Sequence, residues 1–236
     1  MILALEITAV TAGHGDTTIL DDVSFAVERG ESVAIIGRNG VGKSTLLETL
    51  SGHTDLKSGR IALNGRSVQS LPTNRRAALG LGYVPQEREI FPSLTVLENL
   101  TVSAKPGRWG PKEVIELFPG LQPRFGHMGN QLSGGEQQML SIARALMTNP
   151  TVLMMDEPSE GLAPVMVDQL FAAMSRLRED DDMSILLVEQ KVDRALQFSP
   201  RAMVMDRGRI LFDGPSARLA ADAHYLESLI GVGRTI

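Results

Sequence analysis

Short, wholly apolar runs alternate along this chain with stretches in which apolar residues recur every three or four positions. Residues 32–36 (Ser-Val-Ala-Ile-Ile), 151–155 (Thr-Val-Leu-Met-Met) and 184–188 (Ser-Ile-Leu-Leu-Val) carry no charge, as suits strands buried on both faces. Residues 43–51, 137–148, 164–178 and 217–230 read as helices; in the second, Met139, Leu140, Ile142, Ala143, Ala145 and Leu146 form one apolar face. Residues 3–10 and 23–27, with Gly13-His14-Gly15 and Arg29-Gly30 as turns, predict an antiparallel piece before the first buried strand. Residues 202–213 predict two short strands around Arg207-Gly208. Strand and helix in alternation predict an α/β fold with a mostly parallel sheet.

Three polar blocks punctuate this pattern. Gly37-Arg38-Asn39-Gly40-Val41-Gly42-Lys43-Ser44 lies in the turn between a buried strand and a helix. Such a turn aims several backbone N–H groups and the positive end of a helix at one point, where a phosphate satisfies both. Lys43 then reaches the β- and γ-phosphates, and the Ser44 hydroxyl takes a magnesium position. A glycine-rich loop with an incidental lysine would look the same in isolation; the flanking strand and helix meet the structural condition of the motif.

Asp156-Glu157 follows the apolar run 151–155, at the carboxyl edge of a parallel strand and next to the phosphate loop. Adjacent strand residues point to opposite faces, so the two carboxylates are expected to act separately and not as a proton-sharing dyad. Asp156 would hold Mg²⁺ through its water shell, and Glu157 would position or deprotonate an attacking water. Without the lysine loop upstream, a solvated acidic turn would explain the pair as well.

Gln131-Leu132-Ser133-Gly134-Gly135-Glu136 precedes the amphipathic helix. Ser133 as N-cap with Glu136 three residues on makes a capping box, so the block could be only a helix start. Two glycines directly after the cap weaken that start by up to about 1 kcal/mol each, and close backbone approach to a phosphate would explain them. That phosphate would belong to a partner's nucleotide, because the chain's own loop already serves its own.

The block Leu-Ser-Gly-Gly-Glu at 132–136, with the lysine loop before it and the acidic pair after it, resembles the nucleotide-binding subunit of ATP-binding cassette (ABC) transporters, over residues 5 to about 214. The resemblance implies a P-loop ATPase core with an N-terminal antiparallel β piece and an inserted helical subdomain. It also implies two cassettes facing head to tail, each ATP lying between one loop (Gly37 to Thr45) and the other subunit's Ser133, Gly134 and Gly135. Gln86, in Gly82-Tyr83-Val84-Pro85-Gln86, matches the glutamine that touches magnesium and links the site to membrane subunits. Ser159-Glu160-Gly161-Leu162 matches the segment that crosses the dimer interface. Residues 87–96 match the surface that receives a membrane partner, as their exposed apolar side chains would require.

Two positions depart from the family pattern. Gln190, in Glu189-Gln190-Lys191, stands where most cassettes place a histidine; it can hydrogen-bond a phosphate but cannot become a cation. His14 falls where an aromatic stacks on adenine, a role open to a neutral imidazole, although a histidine between glycines is as readily a turn residue. The Glu-Gln pair, Arg88-Glu89-Ile90-Phe91-Pro92 and the compact stretch between Gln86 and Leu132 are similar to the shorter ATPase of importers for branched-chain amino acids, with urea and short-amide importers as the alternative and a soluble, non-transport ABC ATPase as a more distant one. The cargo rests on family analogy, since such an ATPase never touches it.

The implied cofactors are ATP and Mg²⁺, and the implied partners two transmembrane permease subunits, a second cassette or second copy of this chain, and indirectly an extracytoplasmic solute-binding protein. At 236 residues one nucleotide domain is expected: an ATP-binding core over about 1–86 and 150–214, a helical subdomain over about 87–149, and a helical tail over 215–236. A net charge of −5 and pI near 5.4 argue against nucleic acid or anionic lipid as partner. No cysteine is present, no apolar run approaches the roughly 18 residues of a membrane span, and Met1-Ile2-Leu3 lacks a basic leader, so a cytoplasmic protein held at the inner membrane face through its permeases is expected. The remaining histidines (His53, His127, His224) have no metal-ligand spacing, the strand methionines read as core filler, Trp109 as the cover of a small apolar patch, and the acidic run 179–182 as a solvated loop.

Overall fold

The computed structural model describes residues 3–179 and 182–231. Asp180 and Asp181 of the acidic run, residues 232–236 of the tail and the first two residues of the N-terminus lie outside the described residues.

The chain runs β1 (Leu3–His14), β2 (Thr17–Glu28), β3 (Ser32–Ile36), α1 (Lys43–Ser51), β4 (Asp55–Leu63), β5 (Arg66–Ser67), α2 (Thr73–Ala78), β6 (Leu81–Val84), α3 (Val96–Thr101), α4 (Pro111–Leu117), α5 (Gly134–Leu146), β7 (Val152–Asp156), α6 (Pro164–Arg178), β8 (Ser184–Val188), α7 (Val192–Phe198), β9 (Arg201–Asp206), β10 (Arg209–Pro215), α8 (Ser216–Ala221) and α9 (Ala223–Ile230). It is an α/β fold. A four-stranded antiparallel sheet, ordered β2-β1-β4-β5, lies beside a six-stranded sheet, ordered β10-β9-β3-β8-β7-β6, in which only β10 is antiparallel.

Strands β3, β7 and β8 are buried at every residue, as uncharged runs must be when both sheet faces are covered. Their side chains alternate between packing partners. Val33, Ile35, Leu186, Val188 and Met154 join Leu46, Leu47 and Leu50 of α1 and the N-terminal sheet, whereas Ile185, Leu187, Leu153 and Met155 join α5 and α6. Ala34, Ile36, Ala202 and Val204 pack with Leu219 and the half-buried Leu226, Leu229 and Ile230 of the tail. Met154, Met155, Met203 and Met205 are all core, as expected.

Several boundaries differ from the sequence reading, each for a local reason. Helix α5 begins at Gly134 and not at residue 137, because Ser133 caps it directly. The tail is two helices broken at Asp222, whose side chain accepts from Tyr225 N (2.8 Å) and so starts α9 anew. Strand β7 includes Asp156, and β8 lies between β3 and β7, so the phosphate-loop strand and the acidic strand are not neighbours. Trp109 packs, half-buried, against the helical subdomain and its backbone N–H donates to Asn149 Oδ1 (2.7 Å).

Candidate functional site

The carboxyl ends of β3, β7 and β8 converge at one edge of the large sheet. The loop after β3 turns back against β9 and β2: a side-chain carbon on Gly37 would lie 2.4 Å from Met205 O, and Gly208 N donates to Val41 O (2.8 Å). Gly42 caps α1 with φ 108, a left-handed conformation that favours glycine, and no side chain caps the helix, so its first N–H groups stay available. Arg38, Asn39 and Gly40 are exposed on the loop, Val41 anchors it in the core, and Thr45 is buried within the first turn of α1.

Lys43 is only 4 % exposed; its Nζ donates to Gly37 O and Arg38 O, both at 2.9 Å, and lies 3.6 Å from Glu157 Oε1. The ammonium is thus held over the loop and against the acidic pair, although β8 separates the parent strands.

Asp156 ends β7 at 2 % exposure, and its Oδ1 is buried with no hydrogen-bond partner. Burial pushes its pKa up to about 6, with the charges of Glu157 and Glu48 adding to the rise and the Ser44 hydrogen bond and Lys43 opposing it. An orphaned, buried carboxylate oxygen beside a serine hydroxyl is a fitting all-oxygen corner for Mg²⁺, which takes few protein ligands and keeps its waters. Glu157 leaves the strand: its φ is 45, its N donates to Val188 O (2.9 Å), and its Oε2 accepts from Gln190 Nε2. A left-handed non-glycine residue at a buried site carries backbone strain that the surrounding contacts must hold. The turn, and not strand alternation, is what separates the partners of the two carboxylates.

The other predicted residues are dispersed. His14 ends β1 on the surface with Nε2 3.5 Å from Glu48 Oε2 of α1. Gln86 stands two residues beyond Val84, which pairs with Met155, and its Nε2 donates to Glu160 Oε2 in the segment after the acidic pair. Ser133 accepts from Glu136 N (3.4 Å) while its own N and Oγ both contact Glu136 Oε2 at 2.8 Å, and Arg124 Nε holds Glu136 Oε1 at 2.8 Å. No hydrogen bond among the described residues joins this block to the phosphate loop. Gly134 and Gly135 also have intrachain neighbours: a side-chain carbon would lie 3.0 Å from Arg88 Nη1 at the first and 2.5 Å from the flexible end of Met166 at the second.

Two polar residues at this edge make contacts that the sequence reading did not assign. Glu189, 2 % exposed, accepts from Gln190 N (2.9 Å) and Lys191 N (3.1 Å), which fixes the turn that carries Gln190. Glu160 is the partner of Gln86. A carboxylate directly after a buried strand was a usable signal for the first; nothing in the local sequence marked Gln86 as the partner of the second.

Together the fold and this edge define a P-loop ATPase cassette. A family model for ABC transporters matches residues 20–160, and the chain belongs to that family as an ATP-binding, ATP-hydrolysing member. The high-affinity branched-chain amino acid transport ATP-binding protein BraG of Pseudomonas aeruginosa is 39% identical over 235 residues, covering 96% of this chain and 99% of its own. Among solved structures, the ADP conformation of an ATP-binding cassette of an ABC transporter superposes with a TM-score of 0.80 at 27% identity, covering 99% of this chain and 100% of the other. A dimeric bacterial ABC transporter cassette superposes with a TM-score of 0.78 at 25% identity, covering 90% and 98%.

Proposed function

We propose that this chain is the ATPase subunit that drives uptake of branched-chain amino acids, working as one half of a head-to-tail cassette pair on the cytoplasmic side of two transmembrane permease subunits. The near full-length similarity to BraG supports the cargo, and the dimeric cassette supports the pairing. Among the described residues no helix is long and apolar enough to cross a membrane, so attachment through permeases fits this reading. The solute-binding protein would act outside, at one remove from this subunit.

The observation that carries the mechanism is the buried, unpartnered Oδ1 of Asp156 beside Ser44 and Lys43. In this reading the N–H groups of residues 38–44 and the start of α1 bind the β- and γ-phosphates, with Lys43 neutralising their charge. Ser44 and Asp156, with Gln86, would hold Mg²⁺, which screens the phosphate charge when bound. Glu157 orients the attacking water and takes its proton, and Gln190, hydrogen-bonded to Glu157, keeps that carboxylate in place. His14 stacks on the adenine, and the partner cassette's copy of the 133–135 block closes over the γ-phosphate. The partner is a related cassette or a second copy of this chain.

The test is a pull-down of the Glu157→Gln variant from gently solubilised native membranes with ATP present. Two multi-span proteins and a cassette ATPase should accompany it, and the associated solute-binding protein should bind leucine-type ligands. Binding of urea or short amides instead would move the cargo, and recovery without any membrane subunit would overturn the importer.

A further inference from the structure

Arg88 joins three segments that the preceding reading treats separately. It sits in a left-handed conformation, φ 65, and so does the next residue, Glu89, at φ 45. Two successive strained non-glycine residues need outside support, and α5 supplies it. Ser141 Oγ donates to Arg88 O (2.6 Å), Arg144 Nη2 donates to Glu89 O (2.7 Å), and Arg88 Nε donates to Gln138 Oε1 (3.2 Å). Gln138 is 2 % exposed, and its Nε2 has no partner, so the amide's carbonyl end is committed to Arg88.

The far end of the guanidinium lies beside two glycines. A side-chain carbon on Gly134 would lie 3.0 Å from Nη1 and one on Gly161 would lie 3.7 Å from Nη2. The group therefore lies between the start of α5, with its Ser133 cap, and the turn that carries Glu160. Three residues along the chain, Phe91 is 45% exposed and its ring lies 4.9 Å from the guanidinium carbon of Arg144. The guanidinium pairs with no carboxylate among the described residues, so its planar fork is used to span a gap and not to neutralise a charge.

We propose that Arg88 is a positioning residue for ATP hydrolysis: it sets the Gly134 end of α5 and the Gly161 turn at fixed spacing from the strained turn that leads to Phe91. This rests on the ATPase reading above, and concerns the two segments that approach the partner's nucleotide, not the chain's own phosphate loop. Arg88→Ala removes the fork but leaves the phosphate loop untouched. Lysine keeps the charge but lacks the planar fork that lies beside both glycines while Nε bonds Gln138.

The experiment measures steady-state ATP turnover and ADP affinity of the full chain. Arg88→Ala should lower kcat by roughly 10- to 100-fold, the scale of a small misplacement, with ADP affinity unchanged. Arg88→Lys should stay impaired, and free guanidinium ion at non-denaturing concentration should restore Arg88→Ala while ammonium does not. Amide hydrogen exchange should quicken at residues 134–138 and 160–162 and stay unchanged at 41–44. An unaltered kcat, an equal loss of ADP affinity, rescue by both cations or by neither, or unchanged exchange at 134–138 would overturn the inference. A parent chain with no ATP turnover would instead overturn the ATPase reading, and this inference with it.

Discussion

Glu157 is the residue on which turnover is expected to depend most. It sits between Lys43, 3.6 Å away, and Gln190, in a strained conformation that aims it off the strand. Glu157→Gln keeps the shape but cannot accept a proton, so kcat should fall by roughly 10²–10⁴ with ATP binding retained; an unchanged rate would remove it as the base. Lys43→Ala acts on the ground state instead, and equilibrium titration should show weaker ATP binding. Asp156 adds a pH dependence whose sign is fixed. Its pKa is raised in the fold to about 6, so the folded protein holds the proton better than the unfolded chain, and this contribution to stability is lost as pH rises through about 6. At pH 7 the cost is at most about 3 kcal/mol, so Asp156→Asn should melt higher than the parent at pH 7 and lose that advantage toward pH 4. Mg²⁺-dependent nucleotide binding should run the other way, weakening as pH falls through about 6 because the cation needs the ionised group. The lysine loop and acidic pair were legible at this scale because each requires a fixed residue type. The Gln86–Glu160 contact was not, because it arises from strands adjacent in the sheet and distant in sequence.

Among the elements, β3, α1, α6 and β8 stand at the boundaries read from the apolar pattern, since a run buried on both faces or a well-spaced helical stripe leaves little choice. β4 and α2 escaped that reading. Asp55–Leu63 has exposed Asp55, Lys57, Ser58 and Arg60, places Gly59 opposite a bulge of β1 at Ala9 and Val10, and takes its strand form from pairing with β1. The start of α5 shows two functions of one residue. Ser133 completes a capping box with Glu136, so Ser133→Ala should cost about 1 kcal/mol and lower the melting temperature by roughly 2–4 °C. If the cap were its only role, ATP turnover of the folded variant would be unchanged; the proposed contact with a partner's nucleotide predicts a loss of turnover far larger than the stability change. Thermal melting and steady-state ATPase measurement of the same variant separate the two.

At the scale of the whole molecule, the large sheet fixes where the ATP edge lies, and the surface around Phe91 is the proposed dock for a membrane partner. Phe91 is held by its backbone: its N donates to Asn99 Oδ1 (2.9 Å), its O accepts from Asn99 Nδ2 (3.0 Å), and Asn99 itself is fully buried. The ring is thereby presented outward at 45% exposure on a rigid mount, with Leu97 and Met128, both 42% exposed, on neighbouring segments joined by the Gly129 N to Leu94 O bond (2.9 Å). Removing an exposed ring costs the fold little, usually within about 0.5 kcal/mol, whereas truncating an aromatic anchor at the centre of an interface costs 2 kcal/mol or more, roughly thirtyfold in affinity. Phe91→Ala should therefore leave melting temperature and the ATP turnover of the isolated chain near those of the parent, while the yield of multi-span subunits in the membrane pull-down falls by roughly an order of magnitude. Equal recovery with parent and variant would place the permease contact elsewhere on the surface, and a matching fall in turnover of the isolated chain would mean that Phe91 acts on the ATP edge through α5 and not through a partner.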